Sequence, residues 1–183
     1  MKPSAGKDKF TAVNDFVLKI ETFLMALITI TLVVVITIEV VCRYIFFVST
    51  AWAEELSRYL FIWLTYTGSA YALNEGSHIE IDVFKQIIES NHIFAKHRAQ
   101  WLKGLHIAGL TSTSVFLILF GKIFFDFMMK FWGTSQTTPT MHIPMGYIYL
   151  PVFVSTILAL MHCVYLLYKT FKGEDSPLSK EGE

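Results

Sequence analysis

Five charged residues lie close together in the first third of the sequence, and their spacing favours ion pairs; they are Glu39, Arg43, Glu54, Glu55 and Arg58. Glu39 precedes Arg43 by four residues, which is the order that favours pairing along one face of a helix. The two glutamates before Arg58 precede it by four and three residues. Since a charge at membrane depth costs about 2.5 kcal/mol or more, we expect these groups to face protein or water.

Three interpretations of this charged cluster are open. It could be a docking surface for another membrane subunit, with Trp52 beside it, and this is the interpretation that we favour. It could be a solvated rim whose ion pairs contribute only about 0.3 to 0.5 kcal/mol each. It could also line an ion path, although a small bundle encloses little volume for translocation.

Histidines supply two further candidate sites. His78 and Asp82 are four residues apart and could pair across one helical turn, but without a third group or a nucleophile a hydrogen-bonded turn is the simpler interpretation. His106 and His162 are expected at similar depth in two membrane helices, which is the geometry of axial ligands for a b-type haem. We favour the alternative in which each histidine bonds a hydroxyl group or a backbone carbonyl inside the bundle.

The sequence carries no motif that indicates catalysis. It has no glycine-rich phosphate loop, no P-loop lysine motif, no GxSxG elbow and no HExxH motif. Its two cysteines, Cys42 and Cys163, show no CxxC or Cys/His ligand spacing. We therefore expect neither an enzyme nor a metal site, and no bound cofactor.

The composition is that of a membrane protein. Of the 183 residues, 54% are hydrophobic and 16% are charged, whereas a soluble domain has about 25% charged residues. The 15 basic residues balance the 15 acidic residues, so no basic surface is expected for a nucleic-acid backbone, and nucleic-acid binding is set aside. We therefore expect the chain to be embedded in the lipid bilayer.

Four stretches without a charged residue approach membrane-spanning length, and they are residues 22–38, 59–74, 104–121 and 131–168. The last stretch is too long for one helix, and its first part has the composition of a loop. The sequence therefore predicts an all-α integral membrane protein that forms a single membrane domain over residues 1–183. The predicted transmembrane helices cover about residues 20–45, 51–74, 102–127 and 144–169.

The distribution of basic residues predicts the orientation of the chain. Eleven lysines and arginines lie in the N-terminal segment, the connection between the second and third helices and the C-terminal tail, whereas four lie in the other two connections. By the positive-inside rule, both termini face the cytoplasm. The long connection, about residues 78–100, is predicted to form amphipathic helices that anchor in the membrane surface. The apolar residues assigned to this anchoring are Val83, Phe84, Ile87 and Ile88.

Short motifs occur in a particular order between Arg43 and Pro151. They are Arg43, the run Trp52-Ala-Glu-Glu-Leu-Ser-Arg58, Trp63, the run Gly68-Ser-Ala-Tyr-Ala72, the run Gly76-Ser-His-Ile-Glu-Ile-Asp82, Thr138-Pro139, the run Ile143-Pro-Met-Gly-Tyr147 and Pro151. In this order and spacing they resemble the small, DctQ-like membrane subunit of tripartite ATP-independent periplasmic (TRAP) transporters. The resemblance covers about residues 20–170.

The resemblance implies a non-catalytic, multi-pass protein of the bacterial inner membrane that pairs with a large multi-spanning TRAP subunit. In such systems the large subunit carries the substrate and sodium sites, and a periplasmic binding protein delivers the substrate. The small subunit is then expected to act as a scaffold in sodium-coupled uptake of an organic acid of the C4-dicarboxylate or sialic acid type. A redox membrane anchor that holds haem through His106 and His162 is the alternative function.

Overall fold

The computed structural model describes residues 9–74 and 98–172 of the chain, and the side chains of residues 10–74 and 104–172. These residues form four α-helices, which are α1 (Lys9–Tyr44), α2 (Ala51–Asn74), α3 (Arg98–Trp132) and α4 (Met145–Lys172). Within the described ranges, β structure is limited to one isolated bridge between Thr137 and Pro144. The prediction of an all-α protein is confirmed for this part of the chain.

Three of these helices are long and apolar enough to cross a membrane: α1, α3 from Gly104 onwards, and α4. α1 has 36 residues and is about 54 Å long, well beyond the roughly 30 Å of the hydrocarbon core. α2 is shorter and has Glu54, Glu55 and Arg58 near its start. A membrane-spanning role for α2, the orientation of the bundle and the limits of each span remain predictions.

The two ends of the bundle are built differently. The loop end contains the connections 45–50 and 133–144, between α1 and α2 and between α3 and α4. At the other end, the start of α1 is hydrogen-bonded to the end of α2 through Asn14 and Asn74, and to α4 through Asn14 and His162. We call this second end the network end. In the predicted orientation the network end faces the cytoplasm.

α2 and α4 form the centre of the bundle. α2 packs along both α1 and α4, and α4 packs along α3, whereas α1 has much less contact with α4. The interface between α2 and α4 includes the small buried side chain of Ser155, which allows two helix backbones to approach closely. The hydroxyl oxygens of Thr67 and Ser155 are 3.2 Å apart, and Nε1 of Trp63 donates a 2.9 Å hydrogen bond to the carbonyl of Ile148.

Aromatic rings hold α3 against α4. Phenylalanines at positions 116, 120, 124, 127 and 131 form a column along α3, with neighbouring ring centroids 4.9 to 6.1 Å apart. The ring of Tyr149 on α4 lies 5.3 to 6.1 Å from three of these rings. At the loop end of the same interface, Gly146 lies against the ring of Trp132 so closely that an added Cβ atom would be 2.8 Å from Cε3.

Candidate functional site

The network end contains a set of polar side chains from three helices, three of them buried and one, Asn74, partly buried. Asn14 and Glu21 lie on α1 and His162 lies on α4, and their exposed fractions are 2%, 0% and 0%. Nδ1 of His162 is 2.8 Å from Oδ1 of Asn14, and Nε2 is 3.0 Å from Oε2 of Glu21. Nδ2 of Asn14 donates a 3.1 Å hydrogen bond to Oδ1 of Asn74 at the end of α2. We call these four residues the buried network.

Helical periodicity explains why Asn14 and Glu21 act together. They are seven residues apart, which is almost two full turns, so both side chains project from the same face of α1. A polar side chain that is buried without a partner costs free energy, so this face of α1 is stable only against groups that satisfy it. The two ring nitrogens of His162 each contact one side-chain oxygen of these residues. The buried network therefore fixes the rotation of α1 relative to α4 at this end.

The buried network changes the interpretation of His162. Both ring nitrogens already have side-chain partners, so neither is available as an axial ligand to haem iron unless the network is broken. The expectation that His162 bonds a hydroxyl group or a backbone carbonyl is wrong, because its partners are an amide oxygen and a carboxyl group. His106 lies on α3 and is half-buried. Among the described side chains, no three His, Cys, Asp or Glu residues converge on a possible metal position.

Asn14 and Glu21 are absent from the site residues that motifs and spacing predict. In the structure both lie on the buried stripe of α1, together with the partly buried Phe10 and Val17. A polar residue at such a position needs a partner from another helix, and this partner is remote in sequence. The sequence alone therefore indicates neither that Asn14 and Glu21 face inward nor that His162 is their partner.

At the loop end, the charged residues form two separate pairs within single helices. Nη2 of Arg43 lies 2.6 Å from Oε1 of Glu39, and Nη2 of Arg58 lies 3.2 Å from Oε1 of Glu54. The two arginine side chains are 51% and 66% exposed. Their partners differ, since Glu54 is 60% exposed and Glu39 is 15% exposed. Ion pairs with a solvent-exposed arginine contribute at most about 1 kcal/mol to stability. The side chains of Arg43 and Arg58 thus lie on the surface of the bundle and not in its core.

Glu55 belongs to neither pair. It is buried on α2, where one carboxylate oxygen accepts a 2.8 Å hydrogen bond from the backbone N–H of Thr140 and the other accepts a 3.0 Å hydrogen bond from the hydroxyl of Tyr59. Glu55 therefore fastens the connection 133–144 to α2. The expected pairing of Glu55 with Arg58 is wrong, because the loop and Tyr59 supply donors that hold the carboxylate inside the structure.

Of the remaining predicted site residues, Trp52 lies within the described part of the chain and the others lie outside it. Trp52 lies in the first turn of α2, and 41% of its surface is exposed. The preceding connection exposes apolar side chains, among them Phe47, which is 87% exposed and has a φ of 54°. A non-glycine residue in this left-handed region carries conformational strain. The predicted candidates that lie outside the described residues are His78, Asp82, Val83, Phe84, Ile87 and Ile88.

An apolar groove lies between α1, α2 and α4, on the loop side of the buried network. Its volume is about 450 Å³, and its lining includes Leu27, Leu60, Trp63 and Val154. The hydroxyl groups in the lining bond to a carbonyl of their own helix or to one another. The groove therefore offers no unpaired polar side chain to a charged solute.

Comparison with known proteins shows which sequences this chain is similar to. A model of the family described as tripartite ATP-independent periplasmic transporters, DctQ component, matches residues 32–173. The chain is 28% identical over 105 residues to the C4-dicarboxylate TRAP transporter small permease protein DctQ of Rhodobacter capsulatus, an alignment that covers 57% of this chain and 42% of that protein. It is 31% identical over 88 residues to the sialic acid TRAP transporter small permease protein SiaQ of Vibrio cholerae, with 48% of each chain covered. The matched segments thus span less than half the length of these relatives.

Proposed function

This chain belongs to the DctQ component family of tripartite ATP-independent periplasmic transporters, and from that premise we propose that it is the non-catalytic scaffold subunit of such a transporter. It pairs with a large multi-spanning subunit in the bacterial inner membrane and works with a periplasmic substrate-binding protein. The large subunit carries the substrate and sodium sites, and this chain holds the large subunit in position within the bilayer.

The position of the polar groups is the observation that supports a scaffold role. In the described residues these groups concentrate at the two ends of the bundle, in the buried network and in the ion pairs of the loop end. Between the ends, the hydroxyl groups of Thr29, Thr31 and Thr65 each donate to a carbonyl four residues earlier in their own helix. Substrate sites in secondary transporters form where helices are broken, whereas α1 to α4 are each continuous.

The outer faces of α1 and α3 suit contact with lipid and with a larger membrane protein. Phe23, Ile30 and Val33 on α1 are 59 to 68% exposed, and Ile123 on α3 is 70% exposed. Apolar faces of this extent mark membrane or protein contacts rather than a water-exposed surface. A bundle whose polar side chains concentrate at its two ends and whose outer faces are apolar can serve as the fixed part against which a transport domain moves.

For the transported substrate we propose an organic acid of the C4-dicarboxylate or sialic acid type. The support comes from the two relatives, which are named for these substrates. Both types carry at least one carboxylate, and we assign its recognition to the binding protein and the large subunit.

Reconstitution in liposomes with an imposed sodium gradient tests this division of labour. Liposomes that contain this chain alone should take up neither C4-dicarboxylate nor sialic acid. Addition of the large subunit and the loaded binding protein should produce uptake, and omission of this chain should reduce that uptake to the level measured without a sodium gradient. Full uptake in the absence of this chain would refute the scaffold role, and uptake by this chain alone would show that it transports substrate itself.

A further inference from the structure

We propose that Glu21 and His162 share a single proton and form a net-neutral latch that ties α1 to α4 inside the bundle. The two residues lie on different helices and 141 positions apart, and both are completely buried. The latch involves neither substrate nor the large subunit, so it goes beyond the scaffold function.

The hydrogen bonds of Asn14 determine which ring nitrogen of His162 carries a hydrogen. Nδ2 of Asn14 donates to Oδ1 of Asn74, so Oδ1 of Asn14 remains as the acceptor. That oxygen lies 2.8 Å from Nδ1 of His162, and therefore Nδ1 has a hydrogen that it donates. The three residues thus form a chain of two hydrogen bonds, in which His162 on α4 donates to Asn14 on α1, and Asn14 donates to Asn74 on α2.

The contact with Glu21 then requires one further proton. With a hydrogen on Nδ1, Nε2 of His162 is either a bare acceptor or a second donor. Nε2 lies 3.0 Å from Oε2 of Glu21, so a bare nitrogen needs a protonated carboxyl group opposite it, and an N–H needs a carboxylate. In both arrangements one proton lies between Nε2 and Oε2, and the pair has no net charge. Without that proton, two lone pairs would face each other.

Burial favours this neutral pair over a charged one. Oε1 of Glu21 has no hydrogen-bond partner among the described residues, so a carboxylate with a neutral imidazole would leave a buried and incompletely satisfied negative charge. Such a charged pair would arise if the amide groups of Asn14 and Asn74 were both turned over, because Nδ1 of His162 would then have to accept. The shared proton removes the net negative charge of the pair, and with it the larger part of this cost.

The latch is one of the few contacts that hold α1 against α4. α1 has few contacts with α4, and at the network end Phe10 also packs against Tyr165 with ring centroids 5.4 Å apart. Towards the loop end, the apolar groove lies between the two helices. The latch therefore sets the spacing of α1 and α4 at one end of the groove.

Nitrogen-15 NMR of the full chain in lipid nanodiscs tests the proton directly. The chain has six histidines, so replacement of the other five by glutamine leaves His162 as the only labelled ring. We expect a hydrogen on Nδ1, and an Nε2 signal that shifts when Glu21→Gln is introduced. A ring with hydrogen on Nε2 and none on Nδ1 would overturn the proposal, because that is the tautomer of the negatively charged pair.

Thermal unfolding provides a second test that requires no signal assignment. Glu21→Gln keeps a donor for Nε2 and zero net charge, so its melting temperature should match that of Glu54→Gln, the same change at an exposed position. His162→Leu leaves Glu21 buried without its partner and should lower the melting temperature by on the order of 10 °C. The double variant Glu21→Leu with His162→Leu removes both partners and should melt above His162→Leu alone. Equal losses in Glu21→Gln and His162→Leu would contradict a neutral latch.

Discussion

The carboxylate of Glu55 lies 2.8 Å from the backbone nitrogen of Thr140, and this hydrogen bond joins two residues that are 85 positions apart. It fastens the connection between α3 and α4 to the start of α2. The connection is also closed on itself, since the N–H of Thr138 donates a 2.9 Å hydrogen bond to the carbonyl of Ile143. One carboxylate thus links α2 to a loop that would otherwise be held mainly by its own backbone bonds.

Replacement of Glu55 by alanine should loosen the connection 133–144. The N–H of Thr140 and the hydroxyl of Tyr59 would lose their acceptor, so the loop should be cleaved several-fold faster in limited proteolysis of the purified chain. Glu54→Ala is the matched control, because it removes the same group one residue earlier from an exposed pair. If both variants were cleaved at the same rate, Glu55 would not be the group that holds the loop.

Replacement of Gly146 by alanine should destabilise the interface between α3 and α4. The added Cβ atom would lie 2.8 Å from Cε3 of Trp132, and overpacking of this kind costs about 1 to 3 kcal/mol. The loss should appear as a lower midpoint of thermal unfolding. Gly133→Ala is the control, since no heavy atom lies within 4 Å of its added Cβ atom. A second change, Trp132→Leu, should recover part of the loss by making room, and a lack of recovery would place the strain elsewhere.

The helices themselves could largely be anticipated from the sequence. Apolar stretches without charges predict four helices, and four are present in the described residues. The start of α1 is the exception: the helix begins at Lys9, well before the membrane span that is predicted from about residue 20, whereas the other three helices begin within about four residues of the predicted spans. The reason is that hydropathy locates apolar segments, whereas a helix continues wherever its backbone bonds and its side-chain contacts are satisfied. At the start of α1 the buried network provides those contacts.

The candidate site was predictable only where its contacts are local. The pairs Glu39–Arg43 and Glu54–Arg58 follow from four-residue spacing on a helix, and both are present. The partner of Glu55 lies in a loop that is distant in sequence, so residue spacing cannot predict this contact.

The buried face of α1 shows the same limit more sharply. Apolarity alone would turn Val13 and Ile20 inward, yet these side chains are 51% and 44% exposed, while Asn14 and Glu21 are buried. In a bilayer, apolar side chains are stable on the outside, so hydrophobicity no longer distinguishes the inner face of a helix. The family resemblance, in contrast, is confirmed by the family match over residues 32–173. It depends on the order of short motifs in the sequence and not on which residues are in contact.

The orientation of the bundle can be tested by labelling single cysteines with a membrane-impermeant thiol reagent. In a background without Cys42 and Cys163, a cysteine at the exposed position of Ser135 should react in intact spheroplasts. A cysteine at Ser90, in the basic middle connection, should react only after the membrane is permeabilised. Ser90 labelled from outside would reverse the topology predicted from the basic residues.

Arg43 and Arg58 should contribute to binding of the large subunit. Both guanidinium groups are largely exposed in this chain, and each forms a pair worth under about 1 kcal/mol, so Arg43→Ala and Arg58→Ala should leave thermal unfolding of the isolated chain unchanged. Burial of these pairs against a partner would change the balance, because removal of one charge then leaves the other uncompensated at a cost of about 3 to 5 kcal/mol.

Co-purification in mild detergent distinguishes these two situations. If the pairs are buried in the complex, each arginine variant should recover at least about tenfold less of the large subunit than the wild-type chain does. Lys180→Ala, a charge removal in the C-terminal tail, is the control and should recover the wild-type amount. Equal recovery with all three variants would identify the charged residues of the loop end as a solvated rim and would direct the search for the subunit interface to the apolar faces of α1 and α3.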